Sequence, residues 1–241
     1  MSIFDNVEGI VKRQMVLFFV IDTSGSMEGT KIGAVNTAIR EVLPELKDIG
    51  GSDVDLKIAC LKFSSGCEWM HTSPVPVENF QWNSLSADGE TNFGAACKEL
   101  SDKMSKEKFL FAPSAAVAPA IFLMSDGEPT DEYKEGLAAL QQNKWYKYAI
   151  KVAVAIGEDA NKDVLKEFTG NIEAVITVHT PEALRKWIRC VTVTSTQIGS
   201  KSRPMQDGQI ESKQDTMISQ IKDLQQTDPD LSQTSTDADD W

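Results

Sequence analysis

The chain has 241 residues, 41% of them hydrophobic, enough to bury the core of one sizeable domain with length to spare. Its net charge of −12 counts against nucleic acid as a partner, because phosphates need basic patches, and equally against an anionic membrane surface. Cys60, Cys67, Cys97 and Cys190 form no C-x-x-C pair and no zinc spacing, which fits free thiols in a reducing, cytoplasmic setting.

The first eight residues are acidic and carry no apolar signal core. Residues 15–21, Met-Val-Leu-Phe-Phe-Val-Ile, are apolar without interruption and predict a strand buried on both faces. Residues 31–46 place Ile32, Val35, Ile39, Val42, Leu43 and Leu46 on one face of a helix, with Pro44 predicting an irregular last turn. Residues 55–63 alternate as a strand. Ser64-Ser65-Gly66 makes a hairpin turn into a short edge strand over 67–70. Residues 71–89 read as loop, broken by Pro74 and Pro76.

A helix is expected over 92–104, a second buried strand over 120–124 and a helix over 131–142. A strand over 148–156, a helix over 162–168 and a last strand over 174–178 follow. Thr180 and Pro181 then supply the cap and first residue of a helix running to about Cys190. The longest apolar stretch, residues 115–124, contains Pro119 and is short of the ~20 residues a membrane span needs.

Strands separated by helical patterns predict an α/β fold: a doubly wound, mainly parallel six-stranded sheet with one antiparallel edge strand and helices on both faces. The domain is expected over residues 1–194. From Ser195 apolar residues thin out, and residues 195–241 read as a flexible acidic tail with a short amphipathic helix over 215–225, carrying Met217, Ile218, Ile221 and Leu224.

Three segments carry chemistry. Asp22-Thr-Ser24-Gly-Ser26 follows the first strand, and alternate residues on an extended tip point the same way, so a carboxylate and two hydroxyls are expected to converge. Asp88-Gly-Glu-Thr91-Asn-Phe-Gly94 is a polar loop before a helix. Ser125-Asp126-Gly127 follows the second buried strand. In a parallel sheet with right-handed crossovers the two buried strands can be neighbours, which would bring Asp22 and Asp126 together at the carboxyl end of the sheet, where open α/β sheets bind ligands. Two carboxylates and three hydroxyls form a hard oxygen set suited to Mg²⁺ or Mn²⁺.

Asp22-x-Ser24-x-Ser26, then Thr91, then Asp126-Gly127 resembles the metal-ion-dependent adhesion site of von Willebrand factor type A domains, over about residues 14–193. The resemblance implies that Ser24, Ser26 and Thr91 ligate the metal directly and Asp22 and Asp126 directly or through water. It also implies an acidic side chain of a protein partner, which in that family commonly completes the metal shell. It implies binding rather than catalysis. A narrower likeness, to the bacterial TerY-like branch named for tellurium resistance, implies an adaptor in a stress or phosphosignalling system, beside a protein kinase and a PP2C-type phosphatase.

Two rival readings remain. A haloacid-dehalogenase-like phosphatase would also use an aspartate after the first strand and Mg²⁺. It needs a second carboxylate where Ser24 stands, and a lysine that residues 113–125 lack. In the tail, Thr227-x-x-Asp230 and Thr234-x-x-Asp237 have the spacing that forkhead-associated domains read when the threonine is phosphorylated.

Overall fold

A computed structural model describes residues 12–49, 54–112, 117–157, 160–200, 205–206, 209–210, 212–228 and 231. Its frame is one mainly parallel sheet. β1 (Arg13–Asp22) runs parallel to β2 (Val54–Phe63) on one side and to β5 (Ala120–Ser125) on the other. β6 (Ile150–Ile156) and β7 (Val175–Val178) continue the parallel sheet. β3 (Cys67–Trp69) closes the edge antiparallel to β2. The two-residue β4 (Val75–Pro76) also pairs antiparallel with β2, inside the stretch expected as loop.

The period of two along β1 divides the core. Met15, Leu17, Phe19 and Ile21 face one cluster, packed with Val35, Ile39, Val42 and Leu46 of α1 (Thr30–Ile49) and with Leu184, Trp187 and Ile188 of α6 (Pro181–Ser200). Val16, Phe18 and Val20 face the other. There they meet α2 (Phe93–Lys103), α3 (Tyr133–Gln142), the short α4 (Lys144–Tyr148) and α5 (Lys162–Thr169). Both faces of β1 are therefore dry, which is why its sequence shows no polar alternation.

Several boundaries differ from expectation. Pro44 does not loosen the end of α1, which continues through Ile49 because Val42, Leu43 and Leu46 stay buried on one face. Tyr148, expected to open a strand, instead ends α4, which is started by Asn143, whose side-chain oxygen accepts from the Trp145 and Tyr146 amides. α6 extends to Ser200, not about Cys190. In its second half Thr192 and Thr196 are buried, and both satisfy their hydroxyls locally. The Thr192 hydroxyl donates to the Ile188 carbonyl, and the Thr196 hydroxyl to the Val193 carbonyl, each at 2.7 Å.

β8 (Met205–Gln206) and β9 (Gln209–Ile210) form a small separate hairpin. α7 (Lys213–Thr227) then packs Met217 and Ile221 into the α1/α6 side of the core. It starts with a capping box between Ser212 and Asp215. Gln214 docks it on the sheet: the Lys151 amide donates to its side-chain oxygen and its amide nitrogen donates to the Lys151 carbonyl, both at 2.8 Å. Lys151 lies below the first β6–β7 pair, so the glutamine takes the place of a neighbouring strand. Thr227 is the last residue of α7; Asp230, Thr234 and Asp237 lie outside the described residues, as do the first eleven. No helix among the described residues is long and apolar enough to cross a membrane.

The Lys151 side chain is buried. Its ammonium donates to the carbonyls of Tyr146 (3.1 Å) and Ala149 (3.0 Å), and burial lowers its pKa from 10.5 to about 8. A folded-state value below the unfolded one means that the native state binds the proton less readily, so this group's contribution to stability rises with pH between about 8 and 10.5. Cys60 and Cys97, whose thiols burial raises, act in the opposite direction at alkaline pH. A difference measurement removes them. Between pH 7.5 and 9, the urea-unfolding free energy of the wild type should gain about 1 kcal/mol relative to Lys151→Met. Parallel pH profiles would contradict this account.

Candidate metal centre

β1 and β5 are neighbours in register, with Ile21 opposite Met124, so Asp22 and Asp126 leave adjacent strand ends. Both are buried. The Asp22 carboxylate is held from two sides. The Ser24 amide donates to one oxygen (2.9 Å) and the Ser125 hydroxyl to the other (2.6 Å), and Ser125 in turn accepts from the Gly127 amide (2.8 Å). Burial raises the Asp22 pKa. The serine hydrogen bonds oppose that rise, and the nearby Asp126 charge adds to it.

The Ser24 and Ser26 hydroxyls lie 3.0 Å apart. The expected cause was alternation on an extended tip. The extended tip reaches only as far as Ser24, and Gly25–Met27 is a 3₁₀ turn. Met27 is fully buried and pins the turn, leaving Ser26 exposed beside buried Ser24.

Thr91 is buried and is tied to the other segments through their backbones. The Gly25 amide donates to the Gly89 carbonyl (2.9 Å), and the Asp88 amide to the Thr23 carbonyl (2.8 Å). The Thr91 amide donates to the Thr130 hydroxyl (2.9 Å), and the Thr130 amide returns to the Thr91 carbonyl (3.0 Å). One residue on, the Asp131 carboxylate accepts from the Gly94 and Ala95 amides, both at 3.0 Å, and so caps α2 from outside. This is why α3 begins at Tyr133 rather than 131. Gly127 holds φ +75°, and a Cβ there would sit 2.5 Å from the Asn161 carbonyl oxygen, so the Asp126 loop is pressed against the start of α5.

Ser125, Thr130 and Asp131 are the supporting residues that sequence reasoning missed. Their signal was present as small polar residues flanking Asp126-Gly127, but it could not be told from ordinary turn chemistry.

Two features bear on whether this set fits a cation. One Asp126 carboxylate oxygen is buried and has no hydrogen-bond partner. The other lies 3.4 Å from the Lys31 ammonium. In addition, no group of three or more His, Cys, Asp or Glu among the described residues could hold a metal, so a bound cation would have to draw on hydroxyl oxygens as well. Asp22, Ser24, Ser26, Thr91 and Asp126 would supply such oxygens, a donor chemistry that suits a hard divalent ion. Beside it, on the β2–β3 side, opens a polar cleft of about 340 Å³ lined by Thr23, Ser64, Cys67 and Asp88 among others.

The family model described as von Willebrand factor type A domain matches residues 17–189. Among solved structures, a von Willebrand factor type A protein from Catenulispora acidiphila aligns with TM-score 0.56 at 20% identity, covering 76% of this chain and 43% of its own. The pilus adhesin SpaC of Lactobacillus rhamnosus GG aligns with TM-score 0.60 at 14% identity, over 78% and 31%. Proximal thread matrix protein 1 of the mussel byssus, in a structure titled as having a zinc-occupied MIDAS motif, aligns with TM-score 0.57 at 15%, over 77% and 48%. This chain thus spans less than half the length of each, and at these identities the likeness is one of fold. No curated protein sequence matches it.

Proposed function

The chain belongs to the von Willebrand factor type A domain family, and on that premise we propose that it is a metal-dependent protein-binding module rather than an enzyme. Ser24, Ser26 and Thr91 would hold Mg²⁺ or Mn²⁺, with Asp22 and Asp126 doing so directly or through water. Bound there, the cation would supply Lewis acidity toward a carboxylate oxygen of a protein partner. The observation that carries this reading is the buried Asp126 oxygen without a partner, on the strand end adjacent to the one that carries Asp22. The zinc-occupied motif of the byssus protein supports a divalent ion on this fold. The all-oxygen donors here favour the harder Mg²⁺ or Mn²⁺.

The protein's own residues do the positioning. Ser125 and the Ser24 amide fix the Asp22 carboxylate. Thr130 and Asp131 lock the Thr91 loop to the Asp126 loop. The cleft beside Thr23 and Asp88 gives room for the chain that flanks a partner's acidic residue. For the phosphatase alternative, Lys31 supplies an ammonium from α1 that was sought before β5, yet position 24 still holds a serine where that chemistry needs a carboxylate. The finer assignment, an adaptor beside a protein kinase and a PP2C-type phosphatase in bacterial stress or tellurite resistance, rests on the sequence resemblance. Thr227 and Thr234 are its candidate phosphorylation sites.

The test is partner capture by the full chain in Mg²⁺, in EDTA and with Asp22→Ala plus Ser24→Ala. Proteins retained in Mg²⁺ but lost under both other conditions are the expected result. An identical bound set under all three conditions would overturn the adhesion reading.

A further inference from the structure

Lys31 breaks a local rule. It is the second residue of α1, in the turn where the helix carries partial positive charge and cations are disfavoured, and that turn contains no acidic residue. Its side chain is only 13% exposed, so the ammonium has lost much of its water. A residue placed against both propensity and solvation points to a site that needs it.

That site is Asp126, whose carboxylate is 3% exposed and whose Oδ2 lies 3.4 Å from the Lys31 ammonium. The two carboxylates of the rim are treated differently. Asp22 is satisfied by neutral donors, an amide and a hydroxyl. Asp126 has one oxygen on Lys31 and one without a partner. Two buried carboxylates at adjacent strand ends carry more negative charge than the interior tolerates without a cation. Lys31 supplies one from within the chain.

We infer that Lys31 is the resident counter-ion of the metal site, and that it sets metal affinity by competing with the divalent ion for Asp126. The inference rests on the metal reading above. In the metal-free protein the ammonium neutralises Asp126 and keeps the rim from springing apart. A divalent ion placed among the five ligands would stand close to the same ammonium, so Lys31 must give up Oδ2 or bear the repulsion. Its long, flexible stem allows withdrawal toward solvent. The result is a site tuned for weak, exchangeable metal, completed when a partner's carboxylate adds a further negative charge.

The test uses the full chain and Mn²⁺ or Mg²⁺ alone. Lys31→Met keeps the stem and removes the charge. It should bind metal about tenfold or more tightly, while the metal-free protein melts a few degrees lower. Lys31→Arg keeps the charge and should bind about as weakly as the wild type. Lys31→Gln serves as a second neutral variant should Lys31→Met fold poorly. A merely structural lysine would lower the melting point without moving the affinity, so unchanged or weaker binding in both neutral variants overturns this inference alone. Failure of the wild type itself to bind either ion overturns the metal reading and the inference with it.

Discussion

Asp126→Asn should weaken Mg²⁺ and Mn²⁺ binding by about 100-fold or more, with a melting temperature in EDTA close to that of the wild type. The asparagine keeps the shape and one oxygen but removes a full charge from a buried position. Interactions of a charged ligand with a divalent ion in a poorly solvated site are worth several kcal/mol, and a loss of about 3 kcal/mol corresponds to the stated factor. The fold has little reason to fail, since one Asp126 oxygen has no partner and the other meets the Lys31 ammonium, whose long stem allows it to withdraw toward solvent. Isothermal titration with each ion reads the outcome. Binding within threefold of the wild type would remove Asp126 from the ligand set.

Gly136→Ala should destabilise the domain by about 3 kcal/mol or more, lowering the melting temperature by roughly 6–12 °C. The cause is a contact of backbones. α2 and α3 cross at Gly94 and Gly136, and a Cβ on Gly136 would sit 2.1 Å from the Gly94 carbonyl oxygen. No rotamer change relieves a clash with main chain, so the helices must separate. Gly94 lies three residues after Thr91, and its amide is held by Asp131. Separation therefore also disturbs the Thr91 loop, and metal affinity should fall with stability. Gly33→Ala is the matched control. That glycine is exposed in α1, and a Cβ there would meet nothing within 4 Å, so the change should stabilise by up to about 1 kcal/mol. Thermal unfolding of the two variants should move in opposite directions. Equal melting temperatures would contradict the packing argument.

Much of the frame was legible because burial on both faces leaves a plain mark. Residues 15–21 and 120–124 show uninterrupted apolar runs, and their pairing put Asp22 and Asp126 at adjacent ends. The antiparallel edge strand was legible through its Ser64-Ser65-Gly66 turn. What escaped was whatever depends on tertiary hydrogen bonds. Ser26 reaches Ser24 through a 3₁₀ turn pinned by buried Met27, and a spacing argument cannot distinguish that from an extended tip. The helix expected over 131–142 starts only at Tyr133, because the Asp131 carboxylate serves the amides of a different helix. The second half of α6 looked like the start of a polar tail, because back-bonding to Ile188 and Val193 lets Thr192 and Thr196 be buried without an apolar signature. The role of Lys31 needed the distance to Asp126, 95 residues away.

The central claim is that five oxygen-bearing side chains from three separate segments hold one divalent ion. Crystals of the full chain grown with Mn²⁺ and measured at the manganese absorption edge test it most directly. The account predicts one anomalous peak in ligand contact with oxygens of Ser24, Ser26 and Thr91, and beside the carboxylates of Asp22 and Asp126. A peak bound elsewhere, or Mn²⁺-saturated crystals with none at this rim, would contradict it.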